Sequence, residues 1–144
     1  MSDIKDRAIA VIYKEGKILM WWRFKNGMEF YVFPGGTQEE GESIEETLDR
    51  EVFEELNLQV IQKRKFFEYV HQHRNEDGTL TPRKEHYFLI TQFEGDLKLG
   101  APELFRLSKD NIYRPDWLDL ESIDIDYDPR EIFDLIRKEV VNNI

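Results

Sequence analysis

The sequence predicts an α/β fold of the α+β type, with a mixed β-sheet held between helices. Three observations carry this. Strand-like runs stand both before and after one strongly marked helix, a second helix closes the chain, and turn signals separate the elements. At 144 residues the chain reads as a single domain over residues 1–144, large enough to build a core without staples.

The elements follow in order. Arg7 to Lys14 (RAIAVIYK) and Lys17 to Phe24 (KILMWWRF) are strand-like runs joined by Glu15-Gly16, a hairpin signal. Asn26-Gly27 is a second turn signal, followed by a strand from Glu29 to Phe33. Pro34-Gly35-Gly36 then breaks the strand and leads into a loop. Ser43 and Glu46 make a capping box, so a helix starts at Ile44 and runs to about Leu56. Ile44, Leu48, Val52 and Leu56 form its apolar arc. Asn57 stands just past it, where a left-handed residue is often needed and Asn is the next choice after Gly.

Gln59 to His73 reads as a long β-type stretch, bent or interrupted, and Asn75 to Gly78 as a turn cluster. Glu85 to Phe93 is a further strand, Leu97 to Asn111 an irregular loop, and Trp117 to Leu120 a short strand. Tyr113-x-Pro115-x-Trp117 reads as a packing corner over the sheet edge. Asp128-Pro129 supplies an N-cap and a first-turn proline for the last helix, where Ile132, Phe133, Ile136 and Val140 recur at helical spacing. There is no internal repeat, low-complexity segment or linker.

Composition narrows the function. The chain has no Cys, which removes disulfides and thiolate chemistry. No apolar run approaches the ~20 residues of a membrane span, and MSDIKDRAIA has no signal-peptide core, so the expectation is a soluble, cytoplasmic protein without a membrane partner. The net charge is −10, of which −8 falls between Glu39 and Glu55. The rest of the chain carries too little positive charge for a polymer of phosphates, so long nucleic acid is not expected as a partner. A small phosphorylated ligand stays open, because a bound cation inverts the local charge.

On the first helix Glu51 and Glu54 border the apolar arc, and Glu55 projects almost between Ile44 and Leu48. Two readings compete: a solvated acidic face, the usual meaning of a charge run, or a site for a hard divalent cation. A carboxylate aimed along a core-facing stripe is costly unless a cation or strong hydrogen bonds satisfy it, which favours the second.

Gly36, Glu42, Arg50, Glu51, Val52, Glu54, Glu55 and Leu58 stand at the spacing G-x5-E-x7-R-E-U-x-E-E-x-G-U, where U is a bulky aliphatic. This resembles the Nudix box of MutT-like hydrolases, with Asn57 where the family usually has Gly. The resemblance implies a Nudix-like α/β/α sandwich and divalent-metal-dependent hydrolysis of diphosphate bonds in nucleoside diphosphate derivatives, nucleoside triphosphates included. It implies Mg²⁺ or Mn²⁺ held by Glu51, Glu54 and Glu55, with a carbonyl of Gly35 or Gly36. Glu51, Arg50 and Glu54 are then the catalytic candidates, Glu51 activating or orienting water and Arg50 pairing with a motif glutamate. Its i, i+4 spacing to Glu54 allows that pairing. Glu42 fixes the loop or binds metal through water.

Family members often draw one more acid from a distant loop. Glu103 is the candidate, with Glu85 behind it. For the substrate, a small nucleotide, Arg23 would meet a phosphate while Trp22 and Phe33 stack on a base. Trp21 and Tyr31 are further aromatics on the same strands, any of which can equally be core. His71 and His73 share a strand face, but without Cys or a third nearby His they do not suggest zinc. A monomer or a homodimer fits equally. The alternative function is a non-catalytic Nudix-like sensor that binds a nucleotide sugar, which would be expected to lack some of the motif acids.

Overall fold

The structure, a computed structural model, describes residues 4–98 and 111–142. β1 (Lys5–Lys14) and β2 (Lys17–Lys25) form the expected hairpin, with Glu15 and Gly16 both at positive φ. β3 (Met28–Val32) follows the Asn26-Gly27 turn and pairs antiparallel with β2. β4 (Gly35–Thr37) corrects the reading of Pro34-Gly35-Gly36 as a break. The chain resumes as a short strand antiparallel to β1, with Ala8 opposite Gly36.

Helix α1 (Ile44–Leu56) has the expected limits. Ser43 accepts from the Glu46 amide while the Glu46 carboxylate accepts from the Ser43 amide, a complete capping box. Asn57 closes the helix in the left-handed region at φ 61°, its amide bonded to the Phe53 carbonyl. β5 (Gln59–Arg74) is long and carries register shifts between Val60 and Phe67, so the stretch is irregular as expected. β6 (Leu80–Glu94) begins earlier than its apolar core suggested, because pairing with β5 extends from Gln59–Glu94 to Arg74–Leu80.

β7 (Asn111–Asp119) is a full strand, not a short one preceded by a corner. Tyr113, Pro115 and Trp117 lie opposite Arg23, Trp21 and Leu19 of β2. Proline has no amide hydrogen to donate, and β7 has β2 as its one partner among the described strands, an edge position that tolerates it. The last helix, α2 (Ile132–Asn142), starts later than Asp128-Pro129 suggested. That peptide bond is cis, and the Asp128 carboxylate accepts from Tyr69 instead of capping the helix.

The strands follow the order β3-β2-β1-β6-β5, with β4 also on β1 and β7 also on β2. β1 and β6 are parallel over eight pairs and the other pairings are antiparallel, so the sheet is mixed. Alternation along β1 sends Ala8, Ala10 and Ile12 to one core, with Leu48, Val52 and Leu56 of α1. Ile9 and Val11 go to the other, with Ile132, Phe133, Ile136 and Val140 of α2. The sheet is therefore sandwiched between the two helices. Among the described residues no helix is long and apolar enough to cross a membrane.

Candidate active site

The site is built where α1 faces β4. Gly36 sits in the β4–β1 ladder, and the Glu51 side chain reaches across to it. A Cβ at Gly36 would lie 2.2 Å from the Glu51 carboxylate carbon, so the missing side chain is the seat of that carboxylate. Gly35 is fixed by a different neighbour, since a Cβ there would fall 2.1 Å from the Ala8 carbonyl oxygen. The Gly35 amide donates to Glu55 Oε2 at 3.1 Å, which explains why a carboxylate is tolerated near the apolar arc. Glu54 is more exposed than Glu51 and points outward from the helix.

Arg50 organises the acids. Its Nε and Nη2 donate to the two oxygens of Glu42, at 3.1 and 2.8 Å, in a bidentate fork. Its Nη1 donates to Glu51 Oε1 at 2.9 Å and Glu54 Oε2 at 3.3 Å, and its Nη2 to the Thr37 carbonyl. The expected i, i+4 pairing with Glu54 is present, but Glu42 is the closer partner. Glu42 also accepts from the Glu39 amide and the Thr47 hydroxyl. These donors, the Arg50 guanidinium foremost, hold its carboxyl down at about 2. Glu51 behaves oppositely: burial raises its pKa against the pull of Arg50.

These acids face a cleft of about 780 Å³ that Gly36, Arg50, Glu51, Glu54 and Glu55 line from one side. Trp21 and Arg23 line it from β2, and Arg7, Arg83 and His73 from β1, β6 and β5. The Arg23 guanidinium lies over the Tyr113 ring at 3.9 Å and donates to Asn111. Trp22 is not part of the cleft, contrary to expectation. Alternation along β2 turns it to the opposite face, where it stacks on Phe24 beneath the Arg114 guanidinium. Phe33 touches the cleft, but it is 6% exposed and packs on Tyr87, Tyr127 and Phe133, so it is a core residue. Glu103 lies outside the described residues. Glu85 is buried on β6 beside His71 and Tyr87, away from the helix acids.

Arg7, Thr37, Arg83 and His73 were not anticipated as cleft residues. For the two arginines the available signal is a charge ahead of an apolar strand pattern, Arg7 before Ala8 to Ile12 and Arg83 before Tyr87 to Ile90.

The match to the NUDIX domain model spans residues 4–138. The chain belongs to the NUDIX domain family. None of the curated proteins matches it. Among solved structures, this NUDIX chain is similar to a MutT NUDIX hydrolase from Burkholderia pseudomallei, at 20% identity and a TM-score of 0.69 over 94% of this chain and 98% of that one. It is similar to the mutator MutT protein from Bacillus halodurans, at 21% identity and a TM-score of 0.68 over 91% and 80%. A NUDIX hydrolase from Nitrosomonas europaea gives 21% and 0.63 over 97% and 90%. At such identities the shared property is the fold, and the NUDIX sandwich is the architecture described above.

The donor set suits a hard divalent cation: carboxylate and carbonyl oxygens gathered around Gly36, with no thiolate in the chain. Among the described residues no three acidic or imidazole groups form a ready cage, since Arg50 stands between Glu51 and Glu54. The Glu51 carboxylate is half-buried, and a cation beside it would offset the cost of that burial.

Proposed function

We propose that this NUDIX enzyme is a divalent-metal-dependent hydrolase of diphosphate bonds in nucleoside diphosphate derivatives, nucleoside triphosphates included, and that the chain acts as one domain. Its class of bond is the phosphorus-containing anhydride. The observation that carries the reading is the seating of Glu51 against Gly36, with Arg50, Glu54 and Glu55 around it on one capped helix. A structural acidic face needs no such seat.

Glu51, Glu54 and Glu55, with a carbonyl of Gly35 or Gly36, would hold Mg²⁺ or Mn²⁺. Bound there, the ion supplies charge neutralisation of the anhydride oxygens and a lowered pKa for water. The chain's own residues supply the rest. Arg50 holds Glu51 Oε1, leaving Oε2 as the oxygen we assign to take a proton from the attacking water. Arg50 and Glu42 fix the loop before α1, so the acids keep their positions when phosphate enters. Arg23, braced on Tyr113, is the cation for a phosphate oxygen. All the motif acids are present, which supports catalysis over sensing.

The test is a phosphate-release panel of nucleotides with Mg²⁺, with Mn²⁺ and with a chelator. Hydrolysis of at least one small nucleotide that stops on chelation is expected. Full activity after exhaustive chelation would remove the metal from the reading.

A further inference from the structure

Alternation along three neighbouring strands gathers a second group of charged residues beside the acidic helix. β1 and β6 pair Arg7 with Glu85 and Lys5 with Arg83, while β5 sets His71 opposite Arg83 and His73 opposite Thr81. Residues two apart share a face, so Arg7, Arg83, Glu85, His71 and His73 stand together on the face turned towards α2. Arg7, Arg83 and His73 line the same cleft as Glu51, Glu54 and Glu55. The cleft thus reaches round β4 from an acidic side to a basic one. Thr37 is the divider: its hydroxyl accepts from Arg7 Nη1 and its carbonyl from Arg50 Nη2.

The single carboxylate of the group is already engaged. Glu85 lies 3.4 Å from His71 Nε2 and accepts from the Tyr87 hydroxyl. The two arginines are not matched in this way. Among the described residues Arg83 makes no hydrogen bond and no ion pair. Arg7 has only the neutral Thr37 hydroxyl, and its Nε is buried without an acceptor. Burial first, and Arg7 second, lower the pKa of Arg83; burial and Arg83 lower that of His73. The two half-buried guanidiniums repel each other and have between them one neutral hydroxyl and the field of the one shared, already engaged Glu85 carboxylate, so an oxyanion is the ligand their planar forks fit.

We propose that Arg7 and Arg83 form an oxyanion subsite on the basic side of the cleft, so that the substrate carries a second oxyanionic group, phosphate or carboxylate, outside the scissile anhydride. The proposal rests on the hydrolase reading for the acidic side alone. Its substrate is then a diphosphate compound whose far end is itself anionic, and not a nucleotide recognised solely through a neutral base.

Calorimetric titration in the presence of a chelator isolates the subsite, because the acidic helix has no affinity for anions without a cation. Inorganic phosphate and succinate are the probes, and their ranking separates phosphate from carboxylate. Wild type should bind one of them saturably, and Arg7→Gln and Arg83→Gln should each weaken it about tenfold or more, the scale of a lost charge-assisted contact. Arg83→Gln should melt no lower than wild type, since it breaks no bond. No saturable binding by wild type, or unchanged binding in both variants, would overturn the subsite. With Mg²⁺, kcat/KM of Arg83→Gln should fall further for a dinucleoside diphosphate bearing a ribose phosphate monoester than for its unphosphorylated counterpart. Equal losses would mean that the arginines meet the scissile phosphates, and the proposal fails. Phosphate binding by a chain that hydrolyses nothing in any metal would keep the subsite and remove the hydrolase reading instead.

Discussion

A methyl group added at Gly36 would meet the Glu51 carboxylate, and the outcome depends on which side gives way. The backbone of Gly36 is held in the β4–β1 ladder, while the carboxylate is the far end of a flexible side chain, so the carboxylate moves. Gly36→Ala should therefore fold with nearly normal stability and lose about a hundredfold or more in turnover, several kcal/mol of misplaced catalytic group. Thermal melts beside steady-state kinetics check this, and a variant that melts far lower with kcat intact would make Gly36 a packing residue. Glu55 gives the complementary case. Glu55→Gln keeps an oxygen for the Gly35 amide but removes one of three neighbouring negative charges. Without metal it should be as stable as wild type, or more so by ~1 kcal/mol, as at sites where function opposes stability. Its turnover should fall at least about a hundredfold, and added Mg²⁺ should raise its melting temperature less than that of wild type.

Helix α1 and the loop before it act as one stapled element, and pH exposes the staple. The Glu42 carboxyl sits at about 2 in the fold against an ordinary 4.5, held by Arg50, Thr47 and the Glu39 amide. A depressed carboxyl pKa stabilises the fold fully above the ordinary value and loses that effect as pH falls through the depressed one. Glu42→Gln should accordingly melt below wild type at pH 7, with the gap closing between pH ~4.5 and ~2. A gap independent of pH would mean that the loss is one of shape, not charge. The helix limits, its capping box and the left-handed Asn57 were legible because each is set by residues within four of the position in question. The Glu42 fork was less so, because it crosses from loop to helix over eight residues and obeys no helical spacing rule. β4 is hidden in the sequence for a related reason: Pro34-Gly35-Gly36 reads locally as a break, and only the distant edge of β1 makes a strand of it. β7 was shortened by Pro115, whose missing donor an edge position excuses. Residue type alone does not place Trp22 and Phe33, whose faces depend on one residue of alternation and on a neighbouring aromatic cluster.

At the scale of the whole molecule, the family and the mixed sandwich are legible in the sequence because the motif and the order of elements agree. The basic side of the cleft is not, since Arg7 and Arg83 are 76 positions apart and meet only through a parallel ladder. Along the sequence the charge is a local acidic stretch in a nearly balanced chain. Small nucleotide derivatives should thus be hydrolysed far better than capped or triphosphorylated RNA, and a higher kcat/KM for an RNA 5′ end than for every small nucleotide in a panel would refute this. The position of Arg50 has a further consequence, for the order of assembly. Its guanidinium already stands among Glu42, Glu51 and Glu54, within 3.3 Å of each. The acidic cluster therefore carries a resident counter-ion of its own. Refolding from denaturant should proceed at the same rate with or without a chelator, and the metal should enter a finished protein as its last component.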